Sequence, residues 1–267
     1  MKNKALFAVL AAGTFWGTMG FFARSLYAAG FGPLEVAQTR ITTGLLLVGL
    51  YILLFNRSQF KVKLKDIWCF LGTGIVSLLL FSTCYFSALN YTSLAVAAIL
   101  LYTAPFFVML MSLVLFKEKM NGKKVFALLL AFTGCVLVSG VGGDESFSWI
   151  GILLGLGSGF FYALYSIFGR YAINRSYAPW SLTFYTFLFC SIGCAFLSDW
   201  QVIGSVMAAD SANILWVLSL GFVTAFLPYV LYSTGLEHME SSKASILASV
   251  EPVVSALFGV FVFHETM

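Results

Sequence analysis

Residues 71–120 read LGTGIVSLLLFSTCYFSALNYTSLAVAAILLYTAPFFVMLMSLVLFKEKM, and residues 218–267 read LSLGFVTAFLPYVLYSTGLEHMESSKASILASVEPVVSALFGVFVFHETM. Laid over each other 147 positions apart without a gap, they share 14 of 50 residues. The matches include Gly74 with Gly221, Tyr85 with Tyr232, Ala97 with Ala244, Pro105 with Pro252, Phe116 with Phe263 and Glu118 with Glu265. At an offset of 146 the register continues upstream, pairing Phe15 with Phe161, Arg24 with Arg170 and Pro33 with Pro179. One structural unit is used twice, and that decides how the rest of the chain is read.

The unit is apolar. Sixty per cent of the 267 residues are hydrophobic, 10% are charged and the mean hydropathy is +0.95, far outside the range of soluble domains. Lipid is therefore the solvent for most of the chain. Backbone groups in hydrocarbon must be hydrogen-bonded internally, and long apolar runs without period-2 alternation select helices over a closed barrel. The expected fold is an all-α polytopic membrane protein with nine spans, near 5–28, 33–55, 67–89, 94–116, 125–141, 150–172, 180–197, 214–236 and 244–263. The first stretch is too long for a signal-peptide core and reads as a retained span.

Charge sets the expected orientation. Lys2, Lys4, Arg57, Lys61, Lys63, Lys65, Lys117, Lys119, Lys123, Lys124, Arg170, Arg175 and Lys243 fall in segments on one side, and the opposite loops hold only Arg24. By the positive-inside rule the rich side, with the N-terminus, is cytoplasmic. Basic residues at span ends, on no continuous face, argue against nucleic acid despite a net charge of +4.

With five spans in each repeat, the second copy must enter the membrane from the other side. The sequence thus predicts two inverted five-helix repeats, residues 1–143 and 144–267, with the tenth helix missing after Glu265. Inverted repeats are characteristic of secondary transporters, in which exchanging the conformations of the two halves interconverts inward-open and outward-open states.

Several stretches resemble the EamA type of the drug/metabolite transporter superfamily. They are Thr14-Phe15-Trp16-Gly17-Thr18, Arg40, Tyr102-Thr103-Ala104-Pro105 leading to Phe116-Lys117-Glu118, and Val250-Glu251-Pro252 leading to Phe263-His264-Glu265. The resemblance covers essentially the whole chain. It implies ten helices in two inverted repeats, cytoplasmic termini and export of small metabolites such as amino acids. Together with the charge pattern it sets the expected location, a multi-pass protein of the bacterial cytoplasmic (inner) membrane.

Glu251 falls near the middle of the last span, where an ionised carboxylate must face protein or water. It either lines a central cavity, binding a substrate ammonium or a coupling proton, or is a neutral acid bonded to a carbonyl freed by Pro252. Its counterpart is Ala104, so such a site is asymmetric. Arg40, the other strong charge inside a span, lies five residues after Glu35; a structural clamp or snorkelling to the outer surface is favoured over recognition of a substrate carboxylate. Trp16, Tyr85, Tyr102, Tyr162 and Tyr232 are the aromatic candidates for substrate contact, because each carries a polar handle inside a span. Pro105 and Pro252 allow bends suited to gating helices, though a passive kink fits equally. Gly13 and Gly17, with Gly151, Gly155 and Gly159, form small-residue stripes assigned to the seam between halves.

Other classes fare worse. Cys190 and Cys194 are one helical turn apart without His or carboxylate companions, so packing is expected for the cysteines and no metal or cofactor is called for. An intramembrane hydrolase, the rival from another class, lacks a usable motif: Leu156 spoils G-x-S-x-G at Ser158, and no HExxH or GxxxxGK[ST] occurs. A membrane channel is the other alternative. No catalytic residue is expected; the expected partners are lipid, a small-molecule substrate and protons.

Overall fold

The computed structural model describes residues 2–138 and 148–263, without strands among them. The end of the expected span 125–141, together with His264 and Glu265, lies outside the described residues. The helices are α1 (Asn3–Ala28), α2 (Pro33–Phe55), α3 (Leu64–Ala88), α4 (Leu94–Phe116), α5 (Gly122–Val138), α6 (Trp149–Asn174), α7 (Pro179–Ala195), α8 (Trp200–Ala209), α9 (Ser211–His238) and α10 (Ser241–Phe263). Rows of outward-facing apolar residues, such as Leu46, Leu50 and Leu54 on α2, mark surfaces that only lipid can solvate.

Seven described helices are long and apolar enough to cross a membrane, or eight if α7 and α8 are taken as one bent span. The expected nine are not reached. Helix α5 has 17 described residues. The seventh run ends early because Leu197 and Ser198 both return their N–H groups to the Cys194 carbonyl. Asp199 then accepts from the N–H groups of Gln201 and Val202, at 2.8 and 3.2 Å, and so caps a new helix. Helix α8 leaves at 102° to α7.

The backbone repeats its irregularities with the period of the sequence. Helix α3 contains a π-helical stretch at Gly72–Leu79, and α9 contains one at Phe222–Phe226. Helix α4 breaks at Tyr102 and Thr103, and α10 breaks 147 residues later at Ser249 and Val250. At each break a hydroxyl turns back onto a carbonyl of the preceding turn: Thr103 Oγ1 donates to Leu100 O at 2.6 Å, beside the Thr103 N–H, and Ser249 Oγ to Ser245 O at 3.3 Å. Pro105 and Pro252 each sit second in the helical segment that follows, where a missing N–H costs nothing.

Glycines set how closely the helices approach. A Cβ on Gly13 would come within 2.9 Å of Ala248 O and 2.7 Å of a Val250 methyl. On Gly159, the repeat mate of Gly13, it would meet Leu101 O at 3.1 Å and Thr103 Oγ1 at 2.7 Å. Leu101 and Thr103 are themselves the mates of Ala248 and Val250. The contact is reciprocal: α1 packs on the break of α10 as α6 packs on the break of α4. The same relation links Gly74 on Thr186 O with Gly221 on Arg40 O. Gly17 continues the first seat against Glu251 O and Val254, and Gly155 and Gly151 continue the second against Leu100 and Tyr91. The glycine stripes thus seat α1 on α10 and α6 on α4 and the turn after α3.

One end of the bundle gathers the start of α1, the end of α4, the starts of α5 and α10 and the ends of α6 and α9. The start of α3 also meets the α6–α7 connection there, through Asp66 with Arg175 at 3.1 Å and with the Tyr177 hydroxyl at 2.8 Å. At the opposite end, the turn between α1 and α2 packs on α8 and α9 through Leu26, Phe31, Val206 and Leu220. Cys190 and Cys194 are buried packing residues with their sulfurs 3.9 Å apart.

Gly13→Leu and Gly159→Leu should each lower the midpoint of thermal unfolding in detergent, with overpacking costing about 1–3 kcal/mol. Gly20→Ala, where nothing lies within 4 Å, should leave the midpoint unchanged.

Candidate functional site

The two broken helices meet at one cavity. Tyr102, Ala104 and Pro105 of α4 and Ser245, Ser249 and Glu251 of α10 form two of its walls. Trp16 of α1, Tyr162, Tyr165 and Ser166 of α6 and Tyr229 and Tyr232 of α9 complete it. In this conformation the cavity measures about 30 Å³, space for one or two water molecules.

Its aromatic residues lock one another. The Tyr229 ring stands edge-on to Trp16 (centroids 5.2 Å apart), to Tyr165 (5.3 Å) and to Phe187 (5.0 Å), and Trp16 also meets Tyr232 at 5.4 Å. Edge-to-face pairs contribute about 0.5–1.5 kcal/mol each beyond their area. The hydroxyls are tied as well: Tyr165 to Ser233 at 2.9 Å, and Tyr232 to Ser166 at 2.7 Å. Glu251 opens the second segment of α10, where the positive end of the helix dipole favours a carboxylate.

The structure brings together most of the residues singled out from sequence and separates others. Trp16, Tyr102, Tyr162, Tyr232, Pro105 and Glu251 line the cavity. Pro252 is buried just behind it. Tyr85 is not part of the lining; its ring contacts are Phe81 and Phe86, so repeat symmetry with Tyr232 does not carry over to the site. Arg40 does not snorkel. It is buried, with Nη1 3.1 Å from Met19 Sδ, while the Glu35 carboxylate accepts from the Asp199 N–H at 2.9 Å. The clamp expected between Glu35 and Arg40 therefore belongs instead to Glu35 and the start of α8. Tyr165 and Tyr229 were missed. A helical reading held the signal, since Tyr165 lies three residues after Tyr162 and Tyr229 three before Tyr232, on shared faces.

Below the cavity, at the end rich in lysine and arginine, the chain is latched. Lys117 adopts a left-handed conformation (φ 54°) and the Glu118 N–H returns to Ser112 O, a helix ending that points Glu118 away from α4. Its carboxylate accepts from the N–H groups of Ser241 and Ser242, at 2.8 and 3.2 Å, and from the Ser242 hydroxyl. One residue of α4 thus satisfies the orphan donors at the start of α10. Around it Lys124 reaches Glu240 at 2.8 Å and the Ser242 hydroxyl at 3.1 Å, and Arg170 bonds the Ser241 hydroxyl at 3.0 Å and the Met239 carbonyl. Arg170 is a tie between helices here, beyond the interfacial anchoring its position suggests.

An apolar helical bundle with an aromatic cavity at two broken helices is the architecture of a membrane transporter. The EamA-like transporter family model matches residues 3–140 and 149–267, and the chain belongs to that family. It is 30% identical to an uncharacterized transporter of Archaeoglobus fulgidus, over 97% of this chain and 88% of that protein. It is 24% identical to the uncharacterized transporter YxxF of Bacillus subtilis, over 95% of this chain and 80% of that one. A protein of known crystal structure superposes with a TM-score of 0.81 over 100% of this chain and 91% of its own at 18% identity, which shows a shared fold.

Lys124 holds the Glu240 carboxyl below its usual range against the opposing effect of partial burial, and Lys243 adds to it. A carboxyl depressed in the folded state contributes stability above its ordinary value and loses it as pH falls through the depressed one. The latch should therefore loosen on acidification. In a cysteine-free background, the rate at which Ser245→Cys reacts with a small thiol reagent, divided by that of an exposed Ser205→Cys to cancel the loss of thiolate, should rise at low pH, and Lys124→Met should give that higher ratio at neutral pH.

Proposed function

We propose that the protein is a secondary transporter that exports a small organic metabolite, such as an amino acid, by alternating access around the cavity between α4 and α10. The observation that carries this reading is the meeting of two helix breaks, 147 residues apart, at one aromatic chamber. Broken helices facing each other across a closed chamber can be separated from either end without exposing backbone to lipid.

The two repeats, 1–143 and 144–267, are inverted in this reading. Four helix pairs support it: α4 ends, and its mate α10 starts, at the lysine-rich end. Likewise α3 begins there and α9 finishes there. Helix α1 starts there, whereas the start of α6 packs on Tyr91 and Thr92 beyond the far end of α3. Helix α2 begins beside Asp199 at the far end, and α7 begins beside Gln59 at the lysine-rich one. With the lysine-rich end cytoplasmic, the N-terminus lies inside and the protein sits in the cytoplasmic (inner) membrane of a bacterium. The cavity is then sealed toward the cytoplasm by the Glu118 latch. Glu251 supplies a carboxylate for an ammonium group or a coupling proton, and Tyr102, Tyr162, Trp16 and Tyr232 supply rings for an apolar or cationic moiety.

Proteoliposomes carrying the full chain should show saturable, temperature-sensitive flux of a labelled metabolite; ion current at fixed conductance would instead make it a channel. If protons are coupled, flux should follow the imposed pH gradient, and Glu251→Gln should remove that dependence while leaving exchange. Cysteines placed at Ser58 and Ser205 should label from opposite faces of the membrane, and labelling from the same face would overturn the inverted threading.

A further inference from the structure

Arg40 is a buried charge whose hydrogen-bonding capacity is only partly used. It is 6% exposed, its Nε has no hydrogen-bond partner, and Nη1 faces the Met19 thioether, a weak acceptor. The acid nearest in sequence, Glu35, is engaged by the Asp199 N–H. On the cavity side the neighbour of the guanidinium is the Tyr229 hydroxyl, and the ring of Tyr229 lines the chamber. Glu251, across the chamber, is within electrostatic reach of Arg40. Yet no ion pair joins the two among the described residues, which is a costly way to keep opposite charges out of water.

The repeat sharpens the point. The mate of Arg40 is Thr186, which bonds Thr73 at 2.6 Å, and the mate of Glu251 is Ala104. Each charge is a departure from a fold that accommodates a small neutral residue at the equivalent place. Glu251 lines the cavity, and Arg40 stands behind its wall, against the Tyr229 hydroxyl.

We infer that Arg40 receives the carboxylate, and Glu251 the ammonium, of a zwitterionic substrate whose apolar part lies among Trp16, Tyr162 and Tyr232. The inference rests on the reading of this cavity as the transport site and adds which end of the substrate faces which helix. A guanidinium offers paired donors to a carboxylate, and here the free Nε is one of them. Opening of the chamber swings Tyr229 from between the guanidinium and the substrate, and the bound zwitterion then joins the two charges that the empty protein keeps apart.

The test uses the full chain in proteoliposomes with labelled L-phenylalanine and L-leucine, competed by each free amino acid, its methyl ester and its N-acetyl derivative. The free amino acids should compete and both derivatives should fail. Arg40→Met should raise the KM for the free acid by about tenfold or more and bring acid and ester to near equality, whereas Arg40→Lys should retain preference for the acid. Glu251→Gln should erase discrimination against the N-acetyl derivative alone. A purely structural Arg40 would reduce acid and ester by the same factor with their ratio intact, and that result overturns the inference, as does competition by the ester in the unaltered protein. Saturable flux of a neutral sugar or a diamine without any for the amino acids overturns the zwitterion assignment and leaves the carrier standing. Absence of saturable flux for every solute overturns both. Size-exclusion profiles matching the unaltered protein establish that each variant is folded.

Discussion

In hydrocarbon, apolar side chains gain nothing by leaving the solvent, so helices stay together only where their backbones come close enough for dense contact. This protein meets that constraint with glycines pressed onto carbonyl groups. Gly13 sits on Ala248 O and Gly159 on Leu101 O. These seats lie at the places where α10 and α4 lose their helical hydrogen bonds, so the packing that holds the bundle together also holds the breaks open. The aromatic chamber exists because of that coincidence. Without the glycines, α1 and α6 would stand off, and the freed carbonyls would face lipid or an empty gap.

Much of this was legible in the sequence, for identifiable reasons. Runs of apolar residues have a length fixed by the bilayer, so most helices emerged within a few residues of expectation. The glycine stripes could be read because spacing alone puts Gly13 and Gly17 on one face. The duplication marked its own irregularities: the shared prolines, 147 residues apart, follow both breaks. The seventh helix ends two residues before the expected Leu197, and the separate α8 after it was not foreseen, because its capping by Asp199 is a polar signal that hydropathy overlooks. The site was legible in part. Glu251 announced itself as a charge inside a span, and Trp16, Tyr102, Tyr162 and Tyr232 as rings with polar tips. Tyr165 and Tyr229 escaped because many tyrosines have that description, and Tyr85 was included because a repeat conserves shape more readily than environment. Arg40 looked free to reach the surface from its distance along α2, but only packing against α1 decides whether a long side chain can do so.

The scaffold is close to symmetric and its chemistry is not. Reciprocal contacts pair α1 with α10 and α6 with α4, yet one break carries Glu251 and the other Ala104. The latch follows a similar logic: Glu118 caps the start of α10 from the end of α4, using a turn that Lys117 makes possible. Matched breaks in α4 and α10 thus share their packing while only one of them carries a charge.

The chamber's smallness has an energetic consequence. At about 30 Å³ it is too tight for any organic solute, so the interlocked rings of Trp16, Tyr165, Tyr229 and Tyr232 have to part before one can enter. Part of the attraction between solute and wall then goes into that parting, and apparent affinity falls in proportion to how rarely the rings stand apart unaided. Under the proposed transport cycle loose retention follows, and a passenger that is held loosely is also one that leaves quickly on the far side.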